Sequence, residues 1–340
     1  MTAASPRRKL PAWAPQAMGY CLSVVCLAWV LHGYQFNELL PAIRTLDWGW
    51  VTIAVLSDLS VYVVHGWRWN TLLEPVARLR LTRTVQAIYI GLFANEILPL
   101  RVGEVIRCYL LAHWNNLNLS VTLASVGVER LIDGFWMIAA FLITTTYVKG
   151  IPPDLNYLVR LIGVLLISGA VILVWVVKHK QHAHSVIGET KFAAALRHMV
   201  EGLHVMGNPR TMGRTALISL FYLLLQYFTV YALMRAYRLD YSFWVACGVL
   251  TIVRLATVVP NAPGNIGLGN LACVMAMKLF ELGENDAKTF SIILFGALTL
   301  PLLIGGAVAT ALTGSNIGEL RDRAKQGMDA HKANPPGIPR

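Results

Sequence analysis

The stretch Asn95-Glu96-Ile97-Leu98-Pro99-Leu100-Arg101-Val102-Gly103-Glu104-Val105-Ile106-Arg107 decides how this chain is read. An apolar run, residues 84–98, stops at Pro99, and a second helical stretch, 103–113, follows. A helix of that first length rises about 22 Å, short of the roughly 30 Å hydrocarbon core. The pair therefore reads as a re-entrant hairpin that enters and leaves on one side, with two short spans as the alternative. The pattern recurs. Residues 243–259 run into Pro260-Asn261-Ala262-Pro263-Gly264, and a second helical stretch, 266–280, follows. Both breaks are Pro-x-x-x-Gly, Pro99 to Gly103 and Pro263 to Gly267, and each precedes a long apolar run.

Composition supports a bilayer setting. The 340 residues are 56% hydrophobic and 14% charged. Soluble domains carry about 45–50% and about 25%. Full spans are expected at 17–33, 50–67, 121–148, 155–177, 215–234 and 289–312. The first follows Arg7, Arg8 and Lys9 and is read as a retained anchor, not a cleaved signal. The fold class is thus all-α integral membrane, about six spans plus two re-entrant hairpins. The formal net charge of +11 is a topology signal before it is a nucleic-acid signal. With both termini in the cytoplasm, eighteen Lys and Arg fall on the cytoplasmic side, Arg68, Arg78, Arg80 and Arg83 among them, and seven on the other. That threading makes the two hairpins enter from opposite sides, an inverted internal repeat. Interrupted helices at corresponding places in two halves mark transporter binding sites near the midplane.

Irregular backbone survives in a bilayer only where protein or a water-filled cavity satisfies it. Both breaks, built on Pro99, Gly103, Pro263, Gly264 and Gly267, should therefore line one interior cavity. Polar residues at that depth are costly and usually functional. The expected headgroup path comprises Arg101, Arg254, Asn95, Glu104, Arg107, Asn265 and Asn270. Arg101 and Arg254 lead it, because a guanidinium grips two phosphate oxygens at once. Glu129, Arg130 and Asp133 are read as a structural charge network. Glu129 and Asp133 lie i, i+4 on one helical face and can meet one basic partner together. Arg130 points about 100° away and needs another partner. Asp58, His65 and Gln226 are read as isolated interior hydrogen-bonders.

The domain organisation follows. Residues 1–16 form a cytoplasmic segment and 17–314 a single transmembrane domain. Residues 178–214 are a cytoplasmic loop with an amphipathic helix, and 315–340 a disordered cytoplasmic tail. The five cysteines lie in apolar runs without ligand spacing, so neither disulfides nor a metal site is expected. No cofactor is expected.

The motifs Asn95-x-x-Leu98-Pro99-x-Arg101-x-Gly103-Glu104-x-x-Arg107, Glu129-Arg130-x-x-Asp133 and Pro263-Gly264-x-x-Gly267 resemble the signature of the lysylphosphatidylglycerol-synthase transmembrane-region family. The resemblance covers residues 15–315. That family includes the flippase half of the bacterial multiple peptide resistance factor. It also includes stand-alone membrane proteins associated with hopanoid and polyprenol-linked glycan pathways. One departure stands out: where the family often has Gly-x-x-Glu, Asn270 replaces the acid. The resemblance implies a flippase of the cell membrane moving a phospho- or polyprenyl-linked lipid, not an enzyme, since no synthase domain follows. Partners are then anionic or polyprenyl-linked membrane lipids, with a homo-oligomer or a lipid-modifying enzyme as further options and no nucleic acid. A membrane glycosyltransferase using Glu104, Glu129 and Asp133, or an accessory scaffold, is the alternative. No Walker motif is present, so transport would be facilitated or ion-coupled.

Overall fold

The computed structural model describes residues 14–98, 101–147, 208–258, 262–314 and 316–333, with six positions between 157 and 168. Among them the chain is all-helical. In chain order the helices are α1 (Ala14–Leu31), α2 (Phe36–Arg44), α3 (Trp48–Leu73), α4 (Leu81–Ile97), α5 (Gly103–Asn115) and α6 (Leu119–Tyr147). After the gap come α7 (Pro209–Ala236), α8 (Phe243–Ala256), a 3₁₀ turn (Pro263–Asn265), α9 (Leu268–Leu279), α10 (Glu284–Ala311) and α11 (Ile317–Ala333). The expected span 155–177, nearly all of the loop 178–214, and Pro99 lie largely or wholly outside the described residues.

Among the described residues, three helices are long and apolar enough to cross a membrane: α3, α7 and α10. The expected first span, 17–33, is helical as α1; α2 follows it at a bend of 79°, and Gly33 takes a positive φ of 64° at the break. The expected span 121–148 forms the continuous helix α6, but Glu129, Arg130 and Asp133 dilute its apolar run. The tail is a correction. Residues expected to be disordered form α11, whose Leu320 and Ala324 are buried against the α5 end of the fold. Their i, i+4 spacing gives the helix an apolar stripe, and burying it offsets the cost of ordering the segment.

Local chemistry places the helix ends. The Asp47 carboxylate accepts from the Gly49 and Trp50 amides (2.9 and 3.3 Å) and starts α3. Asn208 caps α7 (3.1 Å to the Arg210 amide), with Pro209 at the first helical position. Leu98 is extended (φ −99°, ψ 142°), as a residue before proline must be, so α4 ends there.

The two largest apolar cores among the described residues hold the bundle. One joins the late part of α3 (Trp69, Leu72, Leu73) to α4, α5, the start of α6 and the end of α10. The other joins the early part of α3 (Ala54) to the end of α7, to α8 and α9, and to the start of α10 (Ala287, Phe290). The two interrupted helix pairs, α4–α5 and α8–α9, therefore pack at opposite ends of α3 and α10.

Within the first pair the backbones nearly touch. A Cβ on Gly103 would collide with the Gly91 carbonyl oxygen and stand 2.7 Å from Asn95 Oδ1. Gly103→Ala should lower the melting temperature of detergent-purified protein, with a cost of about 1–3 kcal/mol for overpacking. Gly213→Ala, where the added methyl meets open space, should be neutral or slightly stabilising, since alanine is the better helix former. Equal melting temperatures for the two variants would contradict the close approach.

Candidate functional site

Six charged residues of the first half, Arg68, Glu104, Arg107, Glu129, Arg130 and Asp133, gather into one network at the late end of α3. Glu129 on α6 is its centre. It accepts from Arg68 Nε (3.2 Å) and from Arg107 Nη2 (3.2 Å). Arg68 also pairs with Asp133, so one guanidinium bridges the two carboxylates that share a face of α6. Arg107 reaches Glu104 (3.3 Å) and donates to His65 Nε2 (2.9 Å). Arg130, on a different face of α6, pairs with Glu104. Aromatic faces cover the guanidiniums: Tyr222 lies 4.5 Å from Arg68, and Trp69 4.8 Å from Arg107.

The charge count of this network closes. Arg68, Arg107 and Arg130 face Glu104, Glu129 and Asp133, three against three. Arg68, Arg107 and Glu129 are at most 3% exposed, while the Arg130 side chain is 56% exposed. The network is thus dry at Glu129 and open at Arg130. Arg101 lies near that open edge, within electrostatic reach of Arg130 and Glu104.

Arg68 corrects the charge tally. Expected among the cytoplasmic loop cations, it is instead buried in α3 and holds two carboxylates. His65 is likewise not isolated. The signal that could have found both is helical register: Asp58, Tyr62, His65 and Arg68 recur every three or four residues along α3.

The two breaks meet. Arg101 has a positive φ of 52°, and its Nη2 donates to the Thr257 carbonyl (2.6 Å) and to Asn265 Oδ1 (3.1 Å). Gly264, with φ +67°, faces the Glu96 carboxylate; a side chain there would collide with it. So the first break is tied to both flanks of the second. Two of the three asparagines of the expected path, Asn95 and Asn270, do matching jobs. Asn95 Oδ1 accepts from the Gly103 amide at the start of α5 (2.9 Å). Asn270 Oδ1 accepts from the Gly267 amide at the start of α9 (3.1 Å), and its Nδ2 donates to Ser291 (3.0 Å). Each supplies a partner to a helix N-terminus that lipid could not. Gly267 takes φ +86°, and any Cβ there would strike the Ser23 carbonyl of α1. α1 holds this break from outside, and the Ala262 amide donates to Ser23 Oγ (2.8 Å).

Of the expected path residues, Arg101, Asn265 and Asn95 lie at the meeting of the breaks. Glu104 and Arg107 belong to the charge network, and Asn270 is buried between α9 and α10. Arg254, in the last turn of α8, is partly exposed, and its guanidinium makes no hydrogen bond or ion pair among the described residues. No group of three or more His, Cys, Asp or Glu side chains that could hold a metal occurs among the described residues.

The chain belongs to the family described as "Lysylphosphatidylglycerol synthase TM region", whose model matches residues 16–306. It is 23% identical over 283 residues to a UPF0104 membrane protein of Methanothermobacter thermautotrophicus, covering 76% of this chain and 80% of that protein. It is 25% identical over 224 residues to the UPF0104 membrane protein MJ1078 of Methanocaldococcus jannaschii, covering 61% of this chain and 92% of that one. A third relative, glycosyltransferase AglD of Haloferax volcanii, is 23% identical over 336 residues, covering 87% of this chain but 54% of AglD. The protein is therefore an integral membrane protein of this family.

Proposed function

We propose that this member of the lysylphosphatidylglycerol synthase TM region family moves a polar-headgroup lipid, phospho- or polyprenyl-linked, across the cell membrane. The observation that carries the reading is the Arg101 contact with Thr257 and Asn265, which sets a guanidinium where two interrupted helix pairs meet. A headgroup crossing the bilayer needs a charged partner at depth, while its acyl chains stay in lipid. The charge network is self-neutral, so its arginines are committed to carboxylates. Arg101 and Arg254 remain, one on each break, to bind an anionic phosphate in turn. Reconstitution with a panel of headgroup-labelled lipids tests this: an accessory scaffold would move none of them.

In this reading the pairs α4–α5 and α8–α9 are re-entrant hairpins of an inverted repeat, with both termini cytoplasmic. Their packing at opposite ends of α3 and α10 supports it. The exposed turn residues Asn116, after α5, and Asp240, before α8, then lie on opposite sides. Cysteines placed there should react with an impermeant maleimide from the cytoplasmic side only and from the outer side only, respectively. Labelling of both from one side would rule out the opposed hairpins.

The name of AglD favours a second reading, a glycosyltransferase. About half of that protein lies outside the match. The carboxylates such chemistry would use, Glu104, Glu129 and Asp133, are each paired with arginine here, which suits a structural role better than acid–base work.

A further inference from the structure

We propose that Asp58 is a proton-binding site, and that protonation there couples lipid movement to a pH gradient; the coupling rests on the lipid-transport reading above. Asp58 sits near the middle of the span α3 and is 7% exposed. Its one hydrogen-bond partner among the described residues is Tyr62, whose hydroxyl donates to Oδ2 (3.0 Å). It has no ion pair there. The nearest cation on its own helix face, Arg68, is ten residues on, about 15 Å along the axis, and is already held by Glu129 and Asp133.

A carboxylate buried in a bilayer without a counter-charge must be neutralised. The surroundings choose the cation. The titratable groups around the Asp58–Tyr62 pair are Tyr89 on α4 and Tyr222 on α7, with His65 further along α3. Residues 289–311 of α10 carry no titratable side chain, and the acids of α6 are engaged in the charge network. The rings of Tyr62 and Tyr89 lie 4.9 Å apart and wall the site. A metal cation needs several oxygen ligands, and no such cluster of acidic or ligating side chains is present among the described residues. A proton needs one lone pair. It adds to a carboxylate oxygen of Asp58 from one aqueous phase and leaves to the other, with no bond to carbon made or broken. Tyr222 of α7, near Tyr62 and in contact with the His65 ring and the Arg68 guanidinium, stands between the site and the charge network.

The test uses the full chain reconstituted in zwitterionic vesicles with a trace of headgroup-labelled phosphatidylglycerol, with and without an imposed pH gradient. One proton per lipid makes a one-unit gradient worth about tenfold in the steady-state distribution of label. Wild type should show a shift approaching that, and Asp58→Asn should show none, its ratio of flux with to without the gradient falling to one. Infrared spectra of the same samples should carry a carboxylic acid band that titrates in wild type, is retained in Asp58→Glu, and is missing in Asp58→Asn. Wild-type flux that ignores the gradient overturns the proposal. If wild type moves no lipid at all, the transport reading fails. The infrared titration then stands alone, and absence of an Asp58-dependent band overturns the site as well.

Discussion

Glu129→Ala should be the most destabilising single substitution in the charge network. It removes the carboxylate held by Arg68 and Arg107, both nearly fully buried. Two desolvated guanidiniums would then share Asp133 and Glu104 alone. Breaking a buried pair by removing one partner costs about 3–5 kcal/mol. Thermal unfolding of detergent-purified protein should show the loss as a large drop in melting temperature. Arg130→Ala is the contrast, because its side chain is 56% exposed and water replaces its pairing with Glu104; surface pairs are worth about 0–1 kcal/mol. If Glu129→Ala melts with wild type while lipid movement stops, Glu129 belongs to the substrate path and not to the frame.

Arg101→Lys and Arg254→Lys should each leave the protein folded and slow lipid movement. Lysine keeps the charge but loses the planar fork that binds two phosphate oxygens. A hydrogen bond to a charged group is worth about 1.5–3 kcal/mol, so each replacement should cost roughly ten- to a hundredfold in rate. Arg101 carries a second load that Arg254 does not, since it ties the first break to Thr257 and Asn265. Arg101→Lys should therefore also lower the melting temperature modestly, and Arg254→Lys should not. The measurement pairs a proteoliposome flux assay with thermal unfolding. Wild-type rates in both variants would contradict headgroup capture by these arginines.

The breaks were legible because Pro99 and Gly103, and then Pro263 and Gly267, punctuate apolar runs too short to span. The pairing of Glu129 with Asp133 through one cation, and the separate partner of Arg130, follow from the 100° step of a helix. Arg68 was misread because it follows an apolar run and precedes Arg78, Arg80 and Arg83. Charge bias treats such a residue as a loop cation, and only register on α3 separates it from them. The helix α11 was missed because its polar composition masks the stripe of Leu320 and Ala324. That Arg101 reaches Thr257 and Asn265, more than 150 residues away, is tertiary information. No local pattern contains it, although the shared form of the two breaks implies that they meet.

The most direct measurement follows a headgroup-labelled anionic lipid in proteoliposomes after an impermeant quencher is added outside. Protein that carries lipid past the two breaks should bring the inner-leaflet label out, so that fluorescence falls well below the level of protein-free vesicles, and Arg101→Lys should slow that fall. Quenching that stops at the outer-leaflet label, as in vesicles without protein, would contradict lipid transport by this chain.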